Sequence, residues 1–147
     1  MAERQQFSTF LLDGLFFGVE VEKVQEVLRY QEMTRVPLAP PVVRGLINLR
    51  GQIVTALDLR RRLDLSERPV GQLPMNVVIH TADGGVSLLV DEIGDVVEVD
   101  EATFERPPDT LKSTARSMIR GVHKLNDRLM HVLDTEKVVN RDTDSSR

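Results

Sequence analysis

The chain has 147 residues, 41% hydrophobic and 29% charged, with neither cysteine nor tryptophan. This bounds it to one compact domain with a buried core and excludes a disordered tail, disulfides and thiolate chemistry, in keeping with a reducing compartment and the cytosol by default. A formal net charge of -4 disfavours non-specific binding to a phosphate backbone, and no leader-like start or apolar run of about 18 residues is present, so neither export nor membrane insertion is expected.

Along the chain, QFSTFLL at 6 to 12 ends at Asp13-Gly14 before LFFGV resumes, which is a hairpin signal with Phe7, Phe10, Phe16 and Phe17 as core. Val21, Val24, Val27 and Leu28 then recur at helical spacing among charged residues and predict a short amphipathic helix. Three prolines in RVPLAPP, 35 to 41, exclude a helix and predict a stiff, extended connection. RGLINLR and QIVTALDL pair around Arg50-Gly51, where Gly51 can supply the positive φ of a tight turn. LDLRRRLDL predicts a helical turn with Arg60, Arg61 and Arg62 on a solvated face, and SERPVGQLP a polar linker.

The second half repeats the style. MNVVIHT and VSLLVDEI flank Asp83-Gly84, GDVVEVDEATF continues as strand, and ERPPD stops it. Residues 111 to 118 read as a polar connection; MIRGVHKL and RLMHVLD form a last hairpin around Asn126-Asp127, followed by a short helix from Thr135 to Val139 and a polar tail at 140 to 147.

Arg44-Gly45, Leu49, Ile53 and Leu57-Asp58 recur as Arg120-Gly121, Leu125, Leu129 and Leu133-Asp134, each pair 76 positions apart. Two arginines, two glycines and two aspartates in one register argue for two related hairpins, and so for a single domain, 1 to 147, made of two repeated β lobes, each closing into a small barrel.

Catalytic and metal chemistry find no support. His80, His123 and His131 sit in strand-like runs, at the surface or partly packed, without the cysteines or HExxH spacing of a zinc site. The glycines lack the context that cradles a phosphate, no GxSxG occurs, and the carboxylates of Asp91, Glu92 and Asp95 read as solvated. Aromatics are 4% and read as core, which disfavours a nucleic-acid surface. The remaining class is a small all-β module that binds protein, with no enzyme activity, cofactor or metal.

RVPLAPPVVRGLINLRGQIVTALDLRRRL, VSLLVDEIGDVVEV and IRGVHKLNDRLMHVLDTEKVV together resemble the CheW family, the coupling proteins of bacterial chemotaxis, over residues 6 to 139. The resemblance implies an all-β fold of two five-stranded SH3-like β-barrels packed together with short helices. It also implies a cytoplasmic, non-catalytic adaptor that bridges the cytoplasmic tips of methyl-accepting chemoreceptors and the regulatory domain of the histidine kinase CheA. Carried over residue by residue, Arg50 of the NLRG motif, flanked by Asn48 and Gly51, and Val36 of RVP fall on the receptor-binding surface. Val86, Leu88 and Val90 fall on the groove where a receptor tip docks, and Val19, Val24 and Val27 on the kinase-binding face. An arginine on a tight turn suits such a contact, because its guanidinium presents a rigid fork of donors.

Two alternatives stay open at this point: a scaffold that binds the kinase without receptor coupling, and an SH3-like nucleic-acid module, which needs a basic face that the net charge does not promise. The protein is expected to be a monomer alone, without direct membrane insertion.

Overall fold

The computed structural model describes residues 4–82 and 84–140. Asp83 of the expected Asp83-Gly84 turn and the tail from residue 141 onward lie outside these. The described chain runs β1 (Arg4–Leu12), β2 (Leu15–Glu20), a 3-10 turn (Val21–Lys23), β3 (Val24–Leu28), β4 (Val43–Leu49), β5 (Gln52–Asp58), α1 (Leu59–Arg62) and β6 (Met75–Thr81). It continues with β7 (Gly84–Val90), β8 (Glu92–Asp100), a 3-10 turn (Glu101–Thr103), β9 (Phe104–Glu105), α2 (Ser113–Ser117), β10 (Ile119–Lys124), β11 (Leu129–Leu133) and α3 (Thr135–Val139).

The strands form two mixed sheets, a six-stranded one in the order β8-β1-β2-β11-β10-β9 and a five-stranded one in the order β3-β6-β7-β5-β4. Within each, one pair is parallel, β2 with β11 and β5 with β7. The expected pair of five-stranded barrels is therefore not what the chain builds. Closure needs the two edge strands of a sheet to hydrogen-bond to each other; β8 and β9 share no ladder, nor do β3 and β4. The sheets are also not built from successive halves of the chain, since β1 and β2 join strands from its second half.

Both sheets follow one plan. The order β8-β1-β2-β11-β10 matches β3-β6-β7-β5-β4, and β9 pairs with β10 where a single bridge joins Thr34 to Leu46 of β4. The β4–β5 and β10–β11 hairpins each break register just before their glycine, between Val43 and Gly45 and between Ile119 and Gly121. A Cβ on Gly45 would meet the Thr34 carbonyl oxygen at 2.7 Å, and one on Gly121 would meet the Glu105 carbonyl and the Phe104 ring, so only glycine admits the neighbouring chain at the two bulges. Asp58 and Asp134 then cap α1 and α3, accepting from the amides of Arg61 and Lys137, as aspartate does at a helix start.

Apolar burial makes three layers. Phe10, Phe17, Leu57, Ile79, Leu88, Val90 and Leu133 belong to the cluster the sheets share; Ile47, Val54, Val78 and Leu89 back the five-stranded sheet, and Phe7, Phe16, Met130 and Val132 the six-stranded one. Burial on both faces from Ser87 to Val90 is why Leu88, Leu89 and Val90 follow one another in β7 without alternation.

Four local expectations are corrected. The segment from Val21 is a 3-10 turn leading into edge strand β3, because β-branched Val24 and Val27 pair with Ile79 and Val77 of β6 and sheet packing overrides a weak helical pattern. The connection at 111 to 118 contains α2, anchored by buried Ala115 and Met118. Arg60 and Arg62 are buried, leaving only Arg61 on a solvated face, and Asp91, far from being solvated, is the ion-pair partner of Arg60 with a side chain only 10% exposed. His123 and His131 are buried as well: His131 donates from Nδ1 to the Phe16 carbonyl at 2.8 Å, and His123 Nδ1 lies 2.7 Å from Thr103 Oγ1.

Candidate partner-binding site

Leu49 pairs with Gln52, so the β4–β5 loop consists of Arg50 and Gly51, at φ +51° and +90°. Positive φ at both central residues marks the type I′ turn, whose twist suits a hairpin. Glycine accepts this freely, whereas arginine in the left-handed region costs about 1 kcal/mol. Two contacts hold the turn: the Gly51 amide donates to Asn48 Oδ1 at 2.9 Å, and the Arg50 guanidinium is ion-paired with Glu26 of β3. The pair links opposite edges of the five-stranded sheet through side chains alone. The Arg50 side chain is nonetheless 69% exposed, so donors remain free for a partner's carboxylate or carbonyl.

From that turn, β5 leads into an open groove of about 850 Å³. Strand alternation divides β5: Val54 and Ala56 point into the apolar backing, while Ile53, Thr55 and Leu57 line the groove. Val86 of the neighbouring β7 adds to this wall. Thr135, Glu136 and Val139 of α3 form the other, and Glu22, Lys23 and His80 stand among the polar lining. Ile53 is 62% exposed, which gives the groove an apolar lip under a polar rim, the composition of a protein-docking surface.

The structure sorts the sequence-derived residues by access. Asn48, Arg50 and Gly51 form one exposed turn, Val86 lines the groove, and Val36 is exposed on the proline-rich connection. Leu88, Val90 and Val19 are wholly buried in the shared core and present no surface to a partner. Val24 is half-buried against that core and Val27 is exposed at the sheet edge. The sequence reading missed Glu26, Ile53 and Glu136. Ile53 was accessible to it through the alternation around Val54 and Ala56; Glu26, 24 residues from Arg50, carried no local signal.

A family model described as the CheW-like domain matches residues 6–143, and the chain is 30% identical over 142 residues to the chemotaxis protein CheW of Bacillus subtilis (strain 168), covering 97% of this chain and 91% of that protein. The chain belongs to the CheW family. It is also 27% identical over 140 residues to the chemotaxis protein CheW of Treponema pallidum (strain Nichols), covering 92% of this chain and 82% of that one. Its structure is similar to the crystal structure of the scaffolding protein TtCheW from Thermoanaerobacter tengcongensis, with a TM-score of 0.79, 25% identity and 89% of each chain covered. CheW-family proteins are non-catalytic adaptors, and among the described residues no group of histidine, aspartate and glutamate side chains is placed to hold a metal ion.

Proposed function

We propose that this CheW-family chain couples methyl-accepting chemoreceptors to the histidine kinase CheA, binding the receptors' cytoplasmic tips on one surface and the kinase's regulatory domain on another. The observation that carries the reading is the Arg50 turn: a braced and largely exposed guanidinium on the turn from which β5 runs into an apolar-lipped groove at Ile53. Such an arginine directs a partner by bidentate hydrogen bonding while the groove supplies apolar contact. Asn48 and Gly51 act by shaping the turn, and Val86 with Ile53 by touching the receptor tip. The kinase surface is assigned to the edge strand β3 around Val27, away from the buried Val19.

The adaptor works in the cytoplasm and reaches the membrane only through the receptors; no described helix is long and apolar enough to cross a bilayer. It is monomeric alone and joins larger assemblies through its two surfaces. Separate titrations of the 15N-labelled full chain with a receptor tip fragment and with the kinase regulatory domain test the reading. The expected result is shift changes at 48–55 and 86 with the receptor fragment, at β3 with the kinase domain, and loss of receptor binding alone in Arg50→Ala. Kinase binding with no receptor binding by the wild type would replace coupling with a pure scaffold role.

A further inference from the structure

The groove's two walls come from different sheets, β5 and β7 from one and α3, directly after β11, from the other. Something must fix the angle between them. The shared apolar cluster holds the sheets together, but apolar packing is not directional. Hydrogen bonds to ionised groups are directional, and the structure concentrates them on α1, the single turn that follows β5.

Arg62 reaches forward to the groove wall itself. Its Nε donates to the Val138 carbonyl at 2.7 Å, and one terminal nitrogen to those of Lys137 and Asn140 at 2.9 and 3.3 Å. Arg60, two residues earlier, points to the other side, where Asp91 links β7 to β8 and so carries the chain from one sheet to the other. Arg60 Nε and a terminal nitrogen meet the two Asp91 oxygens at 3.0 and 2.6 Å, in a bidentate fork. The same carboxylate accepts the Asp13 amide of the β1–β2 turn at 2.8 Å, and Arg68 at 3.1 Å. Arg60 also lies 3.5 Å from Asp13 Oδ1 and donates to the Ser66 carbonyl at 2.9 Å. One short helix of the five-stranded sheet thus grips the six-stranded sheet at two separated points.

We infer that Arg60, Arg62 and Asp91 are positioning residues that set the angle between the two sheets, and with it the width of the groove and its affinity for the receptor tip. This rests on the groove being the receptor-facing site. It adds that affinity is controlled by residues that no receptor side chain touches.

Residual dipolar couplings of the isotope-labelled full chain, together with titration of a receptor tip fragment, test it. In the wild type the strands of both sheets fit one alignment tensor. In Asp91→Asn each sheet keeps its internal couplings, the orientation of one relative to the other changes, and the fragment's dissociation constant rises about two- to thirty-fold. Arg62→Met acts at the opposite grip and serves if Asp91→Asn does not fold; Arg62→Lys, which keeps a donor, restores part of both readouts. Unchanged inter-sheet orientation in folded variants of reduced stability would overturn the inference and leave the arginines merely stabilising. A shift in orientation with no wild-type binding of the fragment would uphold the positioning and reject the groove as receptor site.

Discussion

Replacing Asp91 with asparagine tests the energetic account of the buried charges most sharply. The carboxylate is 10% exposed and faces two guanidiniums, Arg60 and Arg68, that are 8% and 9% exposed. Asparagine keeps the volume but turns an NH2 donor toward donors and leaves both cations without an anion, except for the 3.5 Å contact of Arg60 with Asp13. Removing one partner of a buried pair costs about 3–5 kcal/mol. With an unfolding entropy of about 2.1 cal/mol/K per residue, or roughly 0.3 kcal/mol/K for a chain of this size, Tm falls by about 10–16 °C. Burial alone would raise the Asp91 pKa, but hydrogen bonds from Arg60, the Asp13 amide and Arg68 outweigh it and hold the group below 3.8. A lowered carboxylate pKa stabilises the fold above its unfolded value, and this contribution is lost as pH falls through the folded value. Differential scanning calorimetry should therefore give a constant gap between wild type and variant from pH 7 to about 5 that narrows on acidification below 4. A gap under about 2 °C at neutral pH would refute the reasoning, because it falls well short of the smallest expected effect.

Three further outcomes follow from other parts of the molecule. Burial, opposed weakly by the Glu101 charge, lowers the His123 pKa from 6.5; the unfolded chain takes up that proton first, so stability falls as pH drops below about 6.5, and urea titrations of His123→Gln should show a flatter dependence between pH 7 and 5. Gly45→Ala drives a methyl group to 2.7 Å from the Thr34 carbonyl and should cost about 1–3 kcal/mol, read as a lower urea midpoint at constant m value. Ile53→Asp places a charge on a side chain that is already exposed at the groove lip; melting should shift by no more than about 0.5 kcal/mol while receptor-fragment binding weakens at least about ten-fold. Loss of folding in that variant would return Ile53 to the core.

The hairpins were legible in the sequence because turn chemistry is local: Asp13-Gly14 and Arg50-Gly51 both adopt positive φ where the chain reverses. Asp58 and Asp134 were legible as residues recurring in one register, but not as the caps of α1 and α3, a role that shows only where the amides of Arg61 and Lys137 meet their carboxylates. What was not legible depends on distant partners. The open sheets follow from pairing β2 with β11 across more than a hundred residues, as His131 with Phe17, which no local pattern reports. Val19, Leu88 and Val90 looked available because an apolar strand does not declare which of its faces is covered. Arg60 and Arg62 looked solvated because a triple-arginine run is a surface signal until Asp91 and the α3 carbonyls are brought to meet it. At the candidate site, Arg50 and its turn could be named from a motif, while its brace on Glu26 and the opposing wall of the groove belong to the tertiary fold.

Phosphotransfer in a reconstituted system measures coupling itself. Receptor-containing membranes, the kinase and either wild-type chain or Arg50→Ala are mixed, and co-sedimentation and kinase autophosphorylation are followed together. Receptor-dependent kinase activity is expected with the wild type, and its loss with an Arg50→Ala variant that melts within a few degrees of wild type and still binds the kinase regulatory domain. Full receptor-dependent activity with Arg50→Ala would contradict the role assigned to the turn, and wild-type chain that supports no receptor-dependent activity while binding the kinase would contradict coupling.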